Sequence, residues 1–302
     1  MSSSVATDTP LDRISAAAPS TIRFRVAWPF AVNFWTCGSN FVGGACGLMS
    51  QNGTRLTGRT ALITGSTGGL GVDIASTLAA EGAFVVVSGR DKRRGDAVVA
   101  DIRAHGGGAD FVAADIGAGD AEVRRLAEQA TAAAGGRIDI LVNNAAMLLM
   151  PSPTAEVSEE QLRNAFSVNV FAPFLLTGLI APSMAERGHG AIVNIGSITG
   201  LRGSDGSAVY EANKAAIHSL TRSWAAEYGP SGVRVNAVAP GPIATERAGE
   251  FADHVAPVLA RIPSRRMSTP QEIAASVAFL AGDDAANIHG VVLSVDGGWA
   301  AV

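Results

Sequence analysis

The stretch Thr60-Ala61-Leu62-Ile63-Thr64-Gly65-Ser66-Thr67-Gly68-Gly69-Leu70-Gly71 passes from an apolar run into a glycine-rich turn. An Ala-rich segment then reads as a helix to about Glu81. A strand that turns sharply through glycines into a helix leaves free backbone N–H groups at the helix start. Those groups and the helix dipole favour an anion there, such as a pyrophosphate. The spacing is G-x-x-x-G-x-G rather than the commoner G-x-G-x-x-G of dinucleotide sites. Such a turn can also be a mere tight connection, but a preceding strand and a following helix are the context a nucleotide loop needs. No Gly-Lys-Ser/Thr closes the loop, so a P-loop is excluded.

Working outward, strand patterns recur at Phe84 to Ser88, Asp110 to Ala114, Ile138 to Val142, Ala191 to Ile195, Val233 to Val238 and Val291 to Val295, with helical patterns between them. That alternation predicts the α/β class: a doubly wound (Rossmann) single domain with a seven-stranded parallel sheet and helices on both faces. The longest helix is expected from Ser158 to Arg187, bent or broken near Pro173 and Pro182. Residues 56 to 302 are read as this domain and residues 1 to 55 as an N-terminal extension, disordered or a start-site artefact with Met49 as the natural start. The run from Val26 to Met49 fits poorly both a secretion signal and a membrane span, being interrupted by Pro29, Asn33, Thr36, Ser39 and Asn40. A cytoplasmic protein with no membrane partner is expected. The net charge of -4 and the absence of a long basic cluster argue against nucleic acid. Cys37 and Cys46 both precede the domain, so it has no disulfide framework, and neither they nor the five His form a metal-ligand pattern.

The chemistry is concentrated in Tyr210-Glu211-Ala212-Asn213-Lys214. Positions four apart share a helix face, so the phenol and the ammonium can meet. An adjacent ammonium is expected to lower the phenol's pKa from about 10, making Tyr210 a general acid/base. Lys92 and Lys214 are the only lysines among 23 basic residues, so a Lys here suggests a need for a compact point charge.

Other polar groups fall just after the strand runs. Arg90 follows the second strand, where an Arg accommodates a ribose 2'-phosphate; NADP(H) is therefore expected over NAD(H), although Asp91 adjoins. Asp115, before Ile116, can accept from an adenine amino group or cap the next helix. Asn143 and Asn144 can bridge strands or hold the cofactor backbone, the structural role suiting Asn144. Asn169 is a polar group in an apolar helix, which must find a partner. Ser197 leaves the fifth strand where its hydroxyl can bond a substrate carbonyl; no G-x-S-x-G elbow makes it a nucleophile. Pro240-Gly241-Pro242-Ile243-Ala244-Thr245 follows the sixth strand. Ligands of open parallel sheets bind outside the carboxyl ends of the strands, so these motifs converge on one cleft. Met147 to Met150 forms an apolar lip. Residues 243 to 269 are expected to form a substrate lid, with Arg247, Phe251, His254, Leu259, Arg261 and Met267 facing the substrate.

From about Leu56 to Trp299 the chain resembles the short-chain dehydrogenase/reductase family. The resemblance rests on Thr64-Gly65-x-x-x-Gly69-Leu70-Gly71, Asn143-Asn144-Ala145, Ser197, Tyr210-x-x-x-Lys214, Pro240-Gly241 and Asp296-Gly297-Gly298. It implies an oxidoreductase with a catalytic Asn169, Ser197, Tyr210 and Lys214. In that scheme Tyr210 donates the proton, Ser197 polarises the carbonyl, Lys214 lowers the Tyr210 pKa and binds the nicotinamide ribose, and Asn169 helps hold a proton route. The resemblance also implies cofactor contacts from Gly65, Ser66, Thr67, Gly69, Leu70, Arg90, Asp115, Ile116, Asn143, Ala145, Tyr210, Lys214, Pro240, Gly241, Ile243 and Thr245. Met147, Leu149, Ser197, Tyr210 and Arg247 would meet the substrate, and a homotetramer or homodimer is implied. The chain departs from the family pattern at Ala146 (commonly Gly), Gly196 (usually Ser) and Asn213 (usually Ser), which bears on pocket shape. The expected substrate is a small-molecule carbonyl or secondary alcohol, with a 3-oxoacyl thioester or an NAD-linked sugar or alcohol as alternatives. A dinucleotide sensor without turnover is the non-enzymatic alternative, which the intact tetrad disfavours.

Overall fold

The apolar runs pair as β1 (Thr60–Thr64), β2 (Phe84–Gly89), β3 (Gly108–Ala113), β4 (Ile140–Asn143), β5 (Gly190–Ile195), β6 (Val233–Pro240) and β7 (Val292–Val295). These elements belong to a computed structural model that describes residues 55 to 302 apart from Arg247 and the side chains of 250 to 254. All seven strands are parallel, in the order β3-β2-β1-β4-β5-β6-β7. The order reverses between β1 and β4, so a crevice opens there at the strands' carboxyl ends. The extension expected over residues 1 to 55 lies, but for Arg55, outside the described residues. Arg55 itself is tied to the fold, its Nε donating to Glu81 at 3.0 Å.

The helices are α1 (Leu70–Ala80), α2 (Lys92–Ala104), α3 (Asp120–Ala133), α4 (Glu159–Phe166), α5 (Ala172–Glu186), α6 (Ala208–Tyr228), α7 (Ala252–Leu259) and α8 (Pro270–Ala281). Side chains alternate faces along a strand, so a sheet covered on both sides needs apolar residues at successive positions. Accordingly Ala61 and Ile63 pack with Ile74 and Leu78 of α1, Val98 of α2 and Ile273 of α8. Leu62 faces the other way, toward Leu126 of α3, Leu176 of α5 and Trp224 of α6.

Several boundaries differ from the sequence reading, by two residues at the starts of β3 and β4 and at the end of β6. β3 begins at Gly108, opposite Phe84, two residues ahead of the expected Asp110. The long helix is interrupted at a π-helical turn, Ser167–Phe171, and runs unbroken through Pro182. Pro173 accounts for the first: it has no N–H to return to the Asn169 carbonyl four residues back, and the Ala172 N–H reaches instead to Ser167. Among the described residues only Glu159–Glu186 has the length and mean hydropathy (1.6) of a membrane span. It is a core element here, with Leu176, Ile180, Ala181 and Met184 buried in the fold.

Candidate active site

A cavity of about 1100 Å3 runs across the carboxyl ends of the strands, from the glycine turn past Arg90 and Asp115 to Tyr210. Gly65, Thr67, Gly69 and Leu70 line one end. Gly65 has φ +65°, and a Cβ there would stand 2.7 Å from Ala145 Cα, so only glycine lets the turn close against the end of β4. The N-terminus of α1 thus opens into the cavity through a wall of bare backbone. This fits the diphosphate of a dinucleotide, which needs N–H donors and close approach more than side chains.

The residues expected to bind cofactor divide into two groups. Gly65, Thr67, Gly69, Leu70, Arg90, Asp115, Ile116, Ala145, Tyr210, Lys214, Pro240, Gly241, Ile243 and Thr245 line the cavity. Ser66 and Asn143 do not, contrary to expectation. The Ser66 hydroxyl turns inward, donating to the Ile63 carbonyl (2.7 Å) and accepting from the Ser88 N–H (3.0 Å). Asn143 bridges strands, its Nδ2 donating to Asn194 Oδ1 at 2.8 Å. The adjacent Asn144 reaches the cavity wall, with its Nδ2 donating to the Thr64 carbonyl at 2.9 Å. The alternation of a strand decides this: successive side chains at the end of β4 point to opposite faces.

At the adenosine end, Arg90 stands 3.9 Å from the Asp115 carboxylate. Asp91 caps α2, accepting from the Arg94 N–H at 3.0 Å, and is not part of the cavity wall. Asp115 also accepts from the Gly117 N–H (3.2 Å), so it serves as a local cap as well as lining the cavity. Arg94, absent from the sequence reading, joins Arg90 on the wall. Its signal was the four-residue step from Arg90 into a helix start.

At the other end α6 brings Tyr210 and Lys214 beside Ser197 at the exit of β5. Lys214 is buried; its Nζ donates to the Ile195 carbonyl (2.8 Å) and stands 5.5 Å from the Tyr210 ring centroid. Burial pulls the lysine down to about 8. The tyrosine moves opposite to the sequence expectation: burial pushes it up to about 12, partly offset by the Ser197 hydroxyl. The reason is that closing the phenol in among protein atoms strips it of water and so disfavours the phenolate. Tyr210 is therefore a phenol at neutral pH, equipped to donate. Ser197 Oγ accepts from Thr199 Oγ1 (2.9 Å) and Thr199 N (3.2 Å). With both lone pairs engaged, its own O–H is left to donate toward the Tyr210 oxygen, the point at which a ligand oxygen would meet both groups.

Asn169, expected with these three, stays off the cavity wall. Its Oδ1 accepts from Met147 N (2.7 Å) and its Nδ2 donates to Met147 O (3.1 Å), so it pins the chain that forms the lip. Met147, Leu148, Leu149 and Pro151 form that lip, and Val255 and Met267 face the same space. The base of the excursion from β6 is tied by a bridge between Ile243 and Ser268, with Ala244 N donating to Ser268 O at 2.9 Å. Of the expected lid residues Met267 lines the cavity, while Leu259 and Arg261 do not. Arg247 and the side chains of Phe251 and His254 lie outside the described residues.

Comparison with known proteins gives a consistent picture. The family model described as Enoyl-(Acyl carrier protein) reductase matches residues 65–300. The chain is 37% identical to a cyclopentanol dehydrogenase of Comamonas testosteroni over 82% of its own length and 99% of the relative's. It is also 37% identical to a 3-oxoacyl-(acyl-carrier-protein) reductase of Escherichia coli, over 80% of this chain and 97% of that one. A solved structure titled as a putative NAD(P) dependent gluconate 5-dehydrogenase from Beutenbergia cavernae, with bound NADP at low occupancy, superposes with a TM-score of 0.77. It shares 39% identity, covering 82% of this chain and 98% of that one.

Proposed function

We propose that the chain, which belongs to the short-chain dehydrogenase/reductase family and is an NAD(P)-dependent oxidoreductase, interconverts a small, uncharged, apolar ketone and its secondary alcohol, with NADP(H) preferred and Tyr210 as general acid/base. The observation that carries this reading is the meeting of the Ser197 hydroxyl and the Tyr210 phenol with an apolar wall of Met147, Leu149, Val255 and Met267. A bound nicotinamide supplies or accepts the hydride. The chain's own residues handle the oxygen: Ser197 donates a hydrogen bond to the carbonyl, and Tyr210 delivers the proton as negative charge develops there. Lys214 holds a positive charge behind that wall, and Thr199 keeps the Ser197 hydroxyl turned outward.

Charge at the substrate end supports an uncharged substrate. Among the described lining residues the cations are Arg90 and Arg94 at the adenosine end and Lys214 behind Tyr210, whereas Glu246 stands near the apolar wall. Among the described residues a carboxylate substrate or a phosphate-bearing acyl carrier would meet no cation at that end and would face an acid. The 3-oxoacyl thioester is therefore the second reading, favoured by the reductase among the relatives. Arg90 and Arg94 on the wall, with Asp91 committed to its helix, support NADP(H).

The test is oxidation of NADPH and of NADH across neutral alicyclic ketones, 2-oxo and sugar acids, and a 3-oxoacyl thioester, with Tyr210→Phe alongside. Turnover of the neutral ketones with NADPH, lost in Tyr210→Phe, is expected. Preference for a charged substrate removes the substrate assignment, and undiminished turnover in Tyr210→Phe removes the role of the phenol. Assembly into dimers or tetramers belongs to the same reading. It is supported by exposed Phe171 and Phe174 on consecutive turns of one helix, 56% and 51% exposed. A monomer in light scattering would withdraw it.

A further inference from the structure

His218 is a buried, titratable group that the chemistry above leaves unused. It follows Lys214 by one turn of α6, so the two side chains leave the same helix face. Together they grip the exit of β5 from behind. Lys214 Nζ donates to the Ile195 carbonyl, and the Ser197 backbone N–H donates to His218 Nε2 at 3.4 Å. Gly196 lies between these contacts, its own N–H donating to the Val238 carbonyl at 2.8 Å. A Cβ at position 196 would stand 2.1 Å from His218 Nε2, and one at Gly200 would stand 2.8 Å from Cε1. Both are closer than side chains approach, so the imidazole occupies the space that two glycines leave open.

The ring is held neutral. Burial first, then the positive charges of Lys214 and Arg222, pull its pKa down to about 4. With Nε2 accepting, the proton belongs on Nδ1. Nδ1 has no partner at full hydrogen-bond geometry, although the Gly200 carbonyl lies close enough to favour a proton on the ring. The imidazole thus touches both ends of the short turn, Ile198–Gly200, that carries Thr199 against the Ser197 hydroxyl.

We propose that His218 is a positioning residue for the reaction: its Nε2, seated in the gap at Gly196, fixes the Ser197 backbone and so aims the Ser197 hydroxyl toward the space in front of Tyr210. The kinetic half of this inference rests on the proposed function; the geometric half stands without it. A histidine that merely fills space predicts that bulk at 218 is enough. A positioning histidine predicts that an acceptor is needed, because a misplacement of about 1 Å at the reacting groups can lower the rate on the order of a hundredfold.

Two substitutions separate these outcomes. His218→Gln places an amide oxygen near the position of Nε2, and His218→Leu fills comparable space without an acceptor. We expect His218→Leu to lower kcat with a neutral ketone roughly tenfold to a hundredfold while KM for NADPH stays within about twofold, and His218→Gln to recover kcat to within about threefold of wild type. Hydrogen exchange of the Ser197 amide, followed by mass spectrometry without substrate, should speed up in His218→Leu and not in His218→Gln. Should His218→Leu fail to fold, His218→Met supplies the flexible apolar replacement. Gly196→Ala should lower Tm, and His218→Ala in the same chain should restore part of that loss. Wild-type kcat and Ser197 exchange in His218→Leu would overturn the proposal, as would equal impairment of the Leu and Gln variants. If the wild type turns over no ketone at all, the proposed function falls, and the exchange of the Ser197 amide still decides the role of His218.

Discussion

At the adenosine end of the cavity the charged groups stand in water: the Arg90 side chain is 78% exposed and its Asp115 neighbour 52%. At the Tyr210 end Lys214 is 4% exposed and Ser197 8%. The same kind of group does different work in the two places. A guanidinium in solvent is screened and adjustable, so it can bias which nucleotide binds without being indispensable. An ammonium enclosed by protein carries a strongly altered proton affinity, and what it controls is reactivity. Substitutions at the buried end should therefore alter rate, and those at the exposed end should alter affinity.

The largest effect is expected at the phenol. Tyr210→Phe keeps the ring's packing and removes the proton, so kcat should fall on the order of 100-fold to 10,000-fold while NADPH binding, read by fluorescence titration, changes little. A loss confined to KM would erase the distinction between the two ends. Lys214→Met should follow, lowering kcat on the order of tenfold to a hundredfold. The pH dependence sharpens this case. Lys214 has a folded pKa of about 8 against 10.5. A group depressed in this way contributes stability that is present above about pH 10.5 and lost as pH falls through about 8. Between those values the wild type should gain stability relative to Lys214→Met in denaturant titrations; a constant gap would mean that the lysine is not desolvated. Tyr210 is raised from 10.0 to about 12, so its contribution is present below pH 10 and disappears as pH rises through 12. Alcohol oxidation needs the phenolate, and its kcat/KM should accordingly climb with pH between 7 and 10.

The exposed end gives a smaller number. Exposure limits a contact from Arg90 to about 1 kcal/mol, or about fivefold in affinity. Arg90→Ala should thus weaken NADPH by about fivefold and leave NADH unchanged in paired titrations, and the NADPH loss should shrink at high salt. Equal weakening of both nucleotides would show that Arg90 does not discriminate between them.

The two ends were also unequally legible in the sequence. The seven parallel strands and the crevice followed from apolar runs and from what stands after them, because a parallel sheet covered on both faces imposes that pattern. Tyr210 and Lys214 followed from a four-residue step on a helix. What pattern could not give was side-chain direction where two similar residues adjoin. Asn143 bridges strands instead of meeting the cofactor, while Asn144 ties the glycine turn to the end of β4 as expected; Ser66 turns inward, and Asn169 braces Met147 instead of entering the cavity. Nor could the local pair reveal the sign of the Tyr210 shift, since that depends on how completely the surrounding chain removes water. His218 lay within reach: it is a further four-residue step along α6, and the glycine at 196 was already marked as unusual.

The apolar wall opposite Ser197 should give the smallest effect. Val255 lies on α7 and faces the cavity with part of its surface free. Val255→Thr keeps the shape and exchanges one methyl for a hydroxyl, so it tests the polarity of the wall with little change in volume. One methyl's worth of apolar contact is about 0.8 kcal/mol when fully buried, and a half-buried site delivers roughly half of that. KM for a neutral alicyclic ketone should therefore rise about twofold, with kcat and the NADPH constant unchanged. A hydroxylated ketone of the same size should lose less, because the new hydroxyl can meet one of its own. If the hydroxylated ketone instead loses as much as the alicyclic one, Val255 does not touch the substrate. The apolar surface that selects it must then be sought in the lip from Met147 to Pro151.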